Sequence, residues 1–70
     1  MARGTVVRLI RDRGFGFVRT EGGKEIFFHH SALSRGVFDA LSEGQPLDFD
    51  IEHDPRYLRE RATNIQVVEQ

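Results

Sequence analysis

The chain of 70 residues contains no cysteine and no tryptophan, and it has only two prolines. Without cysteine, disulfide bridges and thiolate metal sites are excluded. No apolar run is long enough to cross a bilayer, and the first residues lack the pattern of a signal peptide. The sequence therefore predicts one small cytoplasmic domain over residues 1–70, with a thin core and no membrane contact.

The net charge of −1 conceals an uneven distribution of charge. Residues 1–35 carry seven cationic and three acidic side chains, a net charge of +4, and residues 36–70 carry three cationic and eight acidic ones, a net charge of −5. A local positive field can attract a phosphate chain although the whole protein is slightly acidic. Chance alone also produces such asymmetry in small domains, so the distribution is suggestive only when it coincides with a motif.

Two aromatic segments lie in the basic half, at residues 13–18 and 26–30. Because side chains alternate along a strand, Phe15 and Phe17 share one face and lie about 6.5–7 Å apart along it. Unpaired bases can stack on such rings, and nearby cations complete a surface typical of proteins that bind single-stranded nucleic acid. The alternative is that these rings belong to the core.

Alternation and turn residues predict five strands, at residues 5–11, 15–20, 25–30, 47–52 and 62–68. Residues 53–60 read as a loop, and Gly22 and Gly23 suit a hairpin turn. Five short strands without a helix of any length favour an all-β fold, a five-stranded antiparallel Greek-key barrel of the OB type.

The phase of the alternation divides the side chains into two sets. The inner set is expected to contain Val6, Val18, Ile26 and Phe28, joined by Ile65 and Val67 from the last strand. The outer set is then Phe15, Phe17, Phe27 and His29.

Residues 14–18 and 26–33, in this order, resemble the two nucleic-acid-binding motifs of the cold-shock domain family. The similarity covers nearly the whole chain and is looser over residues 62–65. It implies an OB barrel that binds single-stranded RNA and DNA with weak sequence preference and acts in bacteria as an RNA chaperone or antiterminator. The base-stacking residues that it implies are Phe15, Phe17, Phe27, His29 and Phe38.

Two departures concern the stacking surface itself. Arg8 stands where the family usually has tryptophan, and His30 stands where it usually has phenylalanine. Both side chains are planar and can assist stacking, although less well than an aromatic ring. The segment 53–61 also differs from the family, and we expect Tyr57 with the neighbouring arginines to replace part of the missing tryptophan.

The cations expected near phosphates are Arg13, Lys24 and Arg56. No cofactor and no metal are expected, because His29 and His30, as neighbours in a strand, would face opposite sides. Asp48 and Asp50 alternate on one face without a nucleophile or a facing acid, so we expect neither enzymatic activity nor a small-molecule substrate.

The sequence thus predicts a monomeric protein that binds single-stranded RNA or DNA, as an RNA chaperone or a regulator of transcription or translation. One alternative is an OB-fold protein-interaction module with weakened or lost nucleic-acid binding, which the net acidity, Arg8 and His30 favour. Another is a small RNA-binding barrel associated with the ribosome. Dimerisation, the choice between RNA and DNA, and induction by cold stay open.

Overall fold

The computed structural model describes residues 2–34, 36–56 and 59–68. The strands are β1 (Ala2–Ile10), β2 (Phe15–Thr20), β3 (Glu25–His29), β4 (Pro46–Asp54) and β5 (Arg59–Val67). A 3-10 turn (His30–Ala32) and a single-turn helix, α1 (Val37–Ala40), connect β3 to β4. Among the described residues, no helix has the length and apolar character needed to span a membrane.

The five strands form a closed barrel in the order β1-β2-β3-β5-β4. Four of the pairings are antiparallel, and the pairing of β3 with β5 is parallel. The five-stranded OB barrel expected from the sequence is confirmed, with one difference of detail. Strand direction cannot alternate all the way around a closed ring with an odd number of strands, so one neighbouring pair must be parallel.

The barrel is filled by one apolar cluster of Val6, Val18, Ile26, Phe28, Phe38, Leu41, Leu47, Phe49, Ala62 and Ile65. The predicted inner residues of β1, β2 and β3 are at most 1% exposed. Their placement is therefore confirmed, and it follows from the two-residue period of the strand.

In β5, the inward-facing side chains differ from those that the sequence predicts. Ile65 is buried as expected, but Val67 is 37% exposed, so its predicted inward position is wrong. The register of β4 with β5 shifts after Asp48, and Asn64 has a left-handed φ of 52°. Such a bulge inserts an extra residue in one strand, so that Ala62 and Ile65, three residues apart, both face inward. Val67, two residues beyond Ile65, is the last residue of β5 and is exposed at the end of the strand.

Both strands of the last hairpin are longer than predicted. The ladder continues through the pairs His53–Glu60 and Asp54–Arg59, so four of the eight residues expected in a loop at 53–60 are strand. These residues are polar and lack an apolar alternation, and the neighbouring pair of Glu52 with Arg61 adds an ion pair across the two strands. The extension brings the start of β5 alongside β3, where Phe27 pairs with Arg61.

Candidate nucleic-acid interface

Four side chains on β2 and β3 form a surface that we call the aromatic face, namely Phe15, Phe17, Phe27 and His29. Phe15 is the cross-strand partner of His29, and Phe17 is the partner of Phe27. The three phenylalanine rings are half-buried, His29 is exposed, and none of the four belongs to the core cluster. The structure therefore places all four outside the barrel, as the phase of the alternation predicted.

The three rings contact one another closely. The centroid of Phe15 lies 6.0 Å from that of Phe17 and 5.6 Å from that of Phe27, and the Phe17 and Phe27 centroids are 6.1 Å apart. Two of the three pairs meet edge to face, an arrangement that the aromatic quadrupole favours. These contacts fix the rings relative to one another before any ligand arrives.

Two glycines make room behind this surface. A Cβ on Gly16 would lie 2.7 Å from the carbonyl oxygen of Arg8 and 2.8 Å from Cζ of Phe28. Gly16 therefore allows β1 and the core ring of Phe28 to approach β2 closely. Gly14 has a φ of +75°, and a Cβ there would lie 2.5 Å from Cδ2 of His30, so this position needs glycine on both grounds.

Arg8 lies beside the aromatic face. A register shift between Val6 and Arg8 makes Arg8 the cross-strand partner of Phe17, and Arg8 is exposed. The position at which the family usually has tryptophan is thus next to Phe17, where a planar guanidinium can extend the surface.

The two adjacent histidines lie together, contrary to the expectation that they face opposite sides. Their ring centroids are 4.2 Å apart. The expectation was wrong because β3 ends at His29 and the 3-10 turn begins at His30, so strand alternation no longer applies. Nδ1 of His29 accepts a hydrogen bond from the backbone N–H of Ser31 at 3.3 Å. No group of three potential metal-ligating side chains occurs within residues 2–34, 36–56 and 59–68.

Phe38 does not join the aromatic face. It lies on α1, is 7% exposed and belongs to the core cluster. Its ring centroid is 6.2 Å from that of Phe28 and 6.2 Å from that of His30. The expected stacking role does not fit this burial, because so little of the ring is accessible to a base. Phe38 instead packs behind His30.

The cations predicted to contact phosphate differ in their surroundings. Arg13 is exposed in the turn that follows β1. Lys24 forms an ion pair with Glu60, which offsets its charge. Arg56 is exposed, and its Nε lies 3.6 Å from Oδ1 of Asp54. Tyr57 lies outside the described residues.

Two arginines that the sequence reasoning considered only as neighbours of Tyr57 lie beside Phe27. The guanidinium carbon of Arg59 is 5.9 Å from the centroid of the Phe27 ring. Arg61 is the partner of Phe27 in the parallel ladder, and its Nη2 donates to Oε1 of Glu52 at 3.1 Å. The sequence feature that could have identified these two arginines is their spacing of two residues, on either side of Glu60. This spacing places both side chains on one face of a strand.

The clearest electrostatic perturbation lies on the pairing of β1 with β4. Nε of Arg3 donates to Oδ1 of Asp48 at 2.8 Å. This hydrogen bond, with the positive charge of Arg3, lowers the pKa of Asp48 below its ordinary value and raises the pKa of Arg3. Both effects stabilise the ionised pair, which is solvent-exposed and contributes little to folding.

Comparison with known proteins agrees with this fold. Residues 2–68 match the family described as the 'Cold-shock' DNA-binding domain. The chain is 45% identical to the major cold shock protein of Streptococcus pyogenes serotype M1 over 56 residues, 80% of this chain and 84% of that protein. It is 39% identical to cold shock protein CspC of Bacillus subtilis over 66 residues, 94% and 97% of the two chains.

A third relative extends the match to almost every residue. The cold shock-like protein CspA of Stigmatella aurantiaca is 39% identical over 69 residues, which cover 97% of this chain and 98% of that protein. Cold-shock proteins bind nucleic acid and are not enzymes, and the barrel described above is the fold of this family. The chain belongs to the cold-shock domain family.

Proposed function

We propose that this protein binds single-stranded RNA or DNA by stacking unpaired bases on the aromatic face, and that it acts in the cell as an RNA chaperone. The observation that carries the proposal is the placement of three mutually contacting phenylalanine rings outside the core on neighbouring strands. Aromatic side chains on an OB barrel are the stacking surface that such proteins use.

The residues take different parts in this binding. Phe17 and Phe27 stack bases at the centre of the face, with Phe15 and His29 beside them. His30 and Arg8 assist through their planar groups, and Arg13 lies near phosphate. We further propose that Tyr57 takes part of the role that tryptophan has in the family. If this is wrong, the substitution Tyr57→Ala leaves the affinity for an oligonucleotide unchanged.

Binding of this kind tolerates many sequences, because every base has a π-face, and it favours pyrimidine runs modestly. Each base stacked on an aromatic ring is worth about 1–3 kcal/mol. Because Arg8 and His30 stack less well than the rings the family usually has, we expect an affinity about tenfold or more below that of a fully aromatic surface.

The chaperone activity follows from affinity for the open state alone. A protein that binds unpaired RNA but not the hairpin shifts the equilibrium toward the open form. A free protein concentration of 100 times its dissociation constant shifts that equilibrium by about 2.7 kcal/mol for one site. ATP is not needed for this action.

Melting of a short RNA hairpin with a fluorophore and a quencher on its ends tests the chaperone proposal. We expect the protein to lower the melting temperature in proportion to the logarithm of its concentration. The double variant Phe17→Ala/Phe27→Ala should leave the melting temperature where it is without protein. If the wild-type protein saturates an unpaired RNA of the same length but leaves the hairpin unchanged, it binds the hairpin as tightly as the open strand and does not act as a chaperone.

A further inference from the structure

A groove of about 500 Å³ lies between β3 and β5, next to the aromatic face. We call it the arginine groove, and its walls include Phe27, His29, Ser31, Arg56, Arg59 and Arg61. It exists because β5 begins at Arg59 and pairs with β3.

The charges lining the groove are mostly positive. Among the described residues that line it, Asp54 is the one carboxylate, against three guanidinium groups. This carboxylate is 7% exposed and accepts a hydrogen bond from the backbone N–H of Arg56 at 3.0 Å. It therefore serves to hold the turn and is poorly available to neutralise Arg59 and Arg61.

The guanidinium N–H groups of Arg59 are not engaged in an ion pair with any described residue. The guanidinium lies over the Phe27 ring at 5.9 Å. A guanidinium in contact with a ring keeps its N–H groups available, and its planar fork matches two oxygens of one phosphate.

Two further residues that line the same groove carry hydrogen-bond donors. Arg61 donates through Nη2 to Glu52, whereas its Nε is shielded from solvent and has no hydrogen-bond partner among the described residues. Because Nδ1 of His29 accepts from the N–H of Ser31, the neutral imidazole carries its proton on Nε2, which is then a donor.

We propose that the arginine groove is a phosphate-binding site centred on Arg59 and Arg61. This proposal rests on the proposed function: the groove binds a backbone phosphate of the nucleic acid whose base stacks on Phe27. A site rich in N–H donors, with its one acid already bonded, suits an anion with several acceptor oxygens. Charge contributed by β5 then offsets part of the stacking surface lost where Arg8 stands.

The salt dependence of binding tests this proposal. A fluorescently labelled heptathymidine is titrated with wild-type protein, Arg59→Gln and Arg59→Gln/Arg61→Gln over a range of sodium chloride concentrations. Each lost phosphate contact should reduce the slope of log affinity against log salt by about 0.7. The matched control is Arg3→Gln, which removes the same charge from an exposed arginine paired with Asp48 outside the groove.

We expect Arg59→Gln to flatten the slope by about 0.7 and the double variant by up to about 1.4, while Arg3→Gln keeps the wild-type slope. Equal slopes for Arg59→Gln and the wild type overturn the proposal. Circular dichroism of each variant confirms that the barrel is intact, which is expected because Arg59 is an exposed strand residue.

A second arm separates this proposal from the proposed function. Inorganic phosphate is titrated into labelled protein without nucleic acid, and NMR shifts of the Arg59 and Arg61 side chains are followed. If the wild type does not bind heptathymidine, the proposed function fails, and saturable shifts that Arg59→Gln abolishes then identify a site for free phosphate. Absence of such shifts in a protein that also fails to bind heptathymidine overturns the groove proposal as well.

Discussion

Phe27 and Phe28 are neighbours on β3, yet Phe27 lies on the aromatic face and Phe28 is completely buried in the barrel. One residue of strand alternation thus separates the proposed binding surface from the core. Binding and stability can therefore be changed independently by substitutions at adjacent positions.

The first prediction uses this separation. Phe27→Ala should weaken heptathymidine binding by about 5- to 150-fold, the equivalent of 1–3 kcal/mol for one stacked base. Phe28→Leu should lower the free energy of unfolding by about 1 kcal/mol and leave the affinity of the folded protein unchanged. Fluorescence anisotropy and urea denaturation measure the two effects. Wild-type affinity in Phe27→Ala would contradict the stacking role.

The second prediction concerns Phe38, whose ring packs in the core. Phe38→Leu should keep the heptathymidine affinity within about twofold of the wild type, since an apolar side chain still fills the space. Phe38→Ala should destabilise the fold by about 3–5 kcal/mol, as buried phenylalanine truncations do. If Phe38→Leu instead retains full stability and loses affinity like Phe27→Ala, then Phe38 stacks a base after all.

The third prediction concerns the close approach at Gly16. Alanine there meets the Arg8 carbonyl oxygen and the Phe28 ring, so Gly16→Ala should lower the free energy of unfolding by about 1–3 kcal/mol. Gly22→Ala is the control, because the nearest atom to its Cβ is Oγ1 of Thr20 at 3.9 Å, and it should change stability by about 0.5 kcal/mol or less. Equal denaturation midpoints for the two variants would show that β2 has room at Gly16.

The fourth prediction concerns Glu60, which pairs with Lys24 and lines the surface beside Phe17 and Phe27. Glu60→Gln frees the ammonium group, so heptathymidine should bind more tightly at low salt and with a slope steeper by about 0.7. Glu43→Gln removes the same charge from an exposed loop position and should change neither quantity. Identical salt slopes for the two variants would mean that Lys24 does not contact phosphate.

The sequence was most informative where apolar alternation is strong. The bounds of β2 and the inner positions of Val6, Val18, Ile26 and Phe28 were predictable, because each strand can turn only one face to the core. The five short strands also indicated the OB barrel, and the family resemblance added Phe38 to the candidate stacking residues.

Other features depend on contacts between distant segments. The extension of β4 and β5 consists of polar cross-strand pairs, so no apolar pattern marked it. The bulge at Asn64 and the burial of Phe38 arise from barrel closure and from packing of α1 against the core. The arginine groove was missed for the same reason, since its residues meet only when β5 lies beside β3.

The most direct test is the fluorescence anisotropy of labelled heptathymidine with the wild-type protein at low and at moderate salt. Binding at about 1 μM or tighter that weakens steeply as salt rises is the predicted result, since stacking holds the bases and cations hold the phosphates. Absence of binding even at low salt would contradict the account, and the aromatic face would then be a surface for a protein partner.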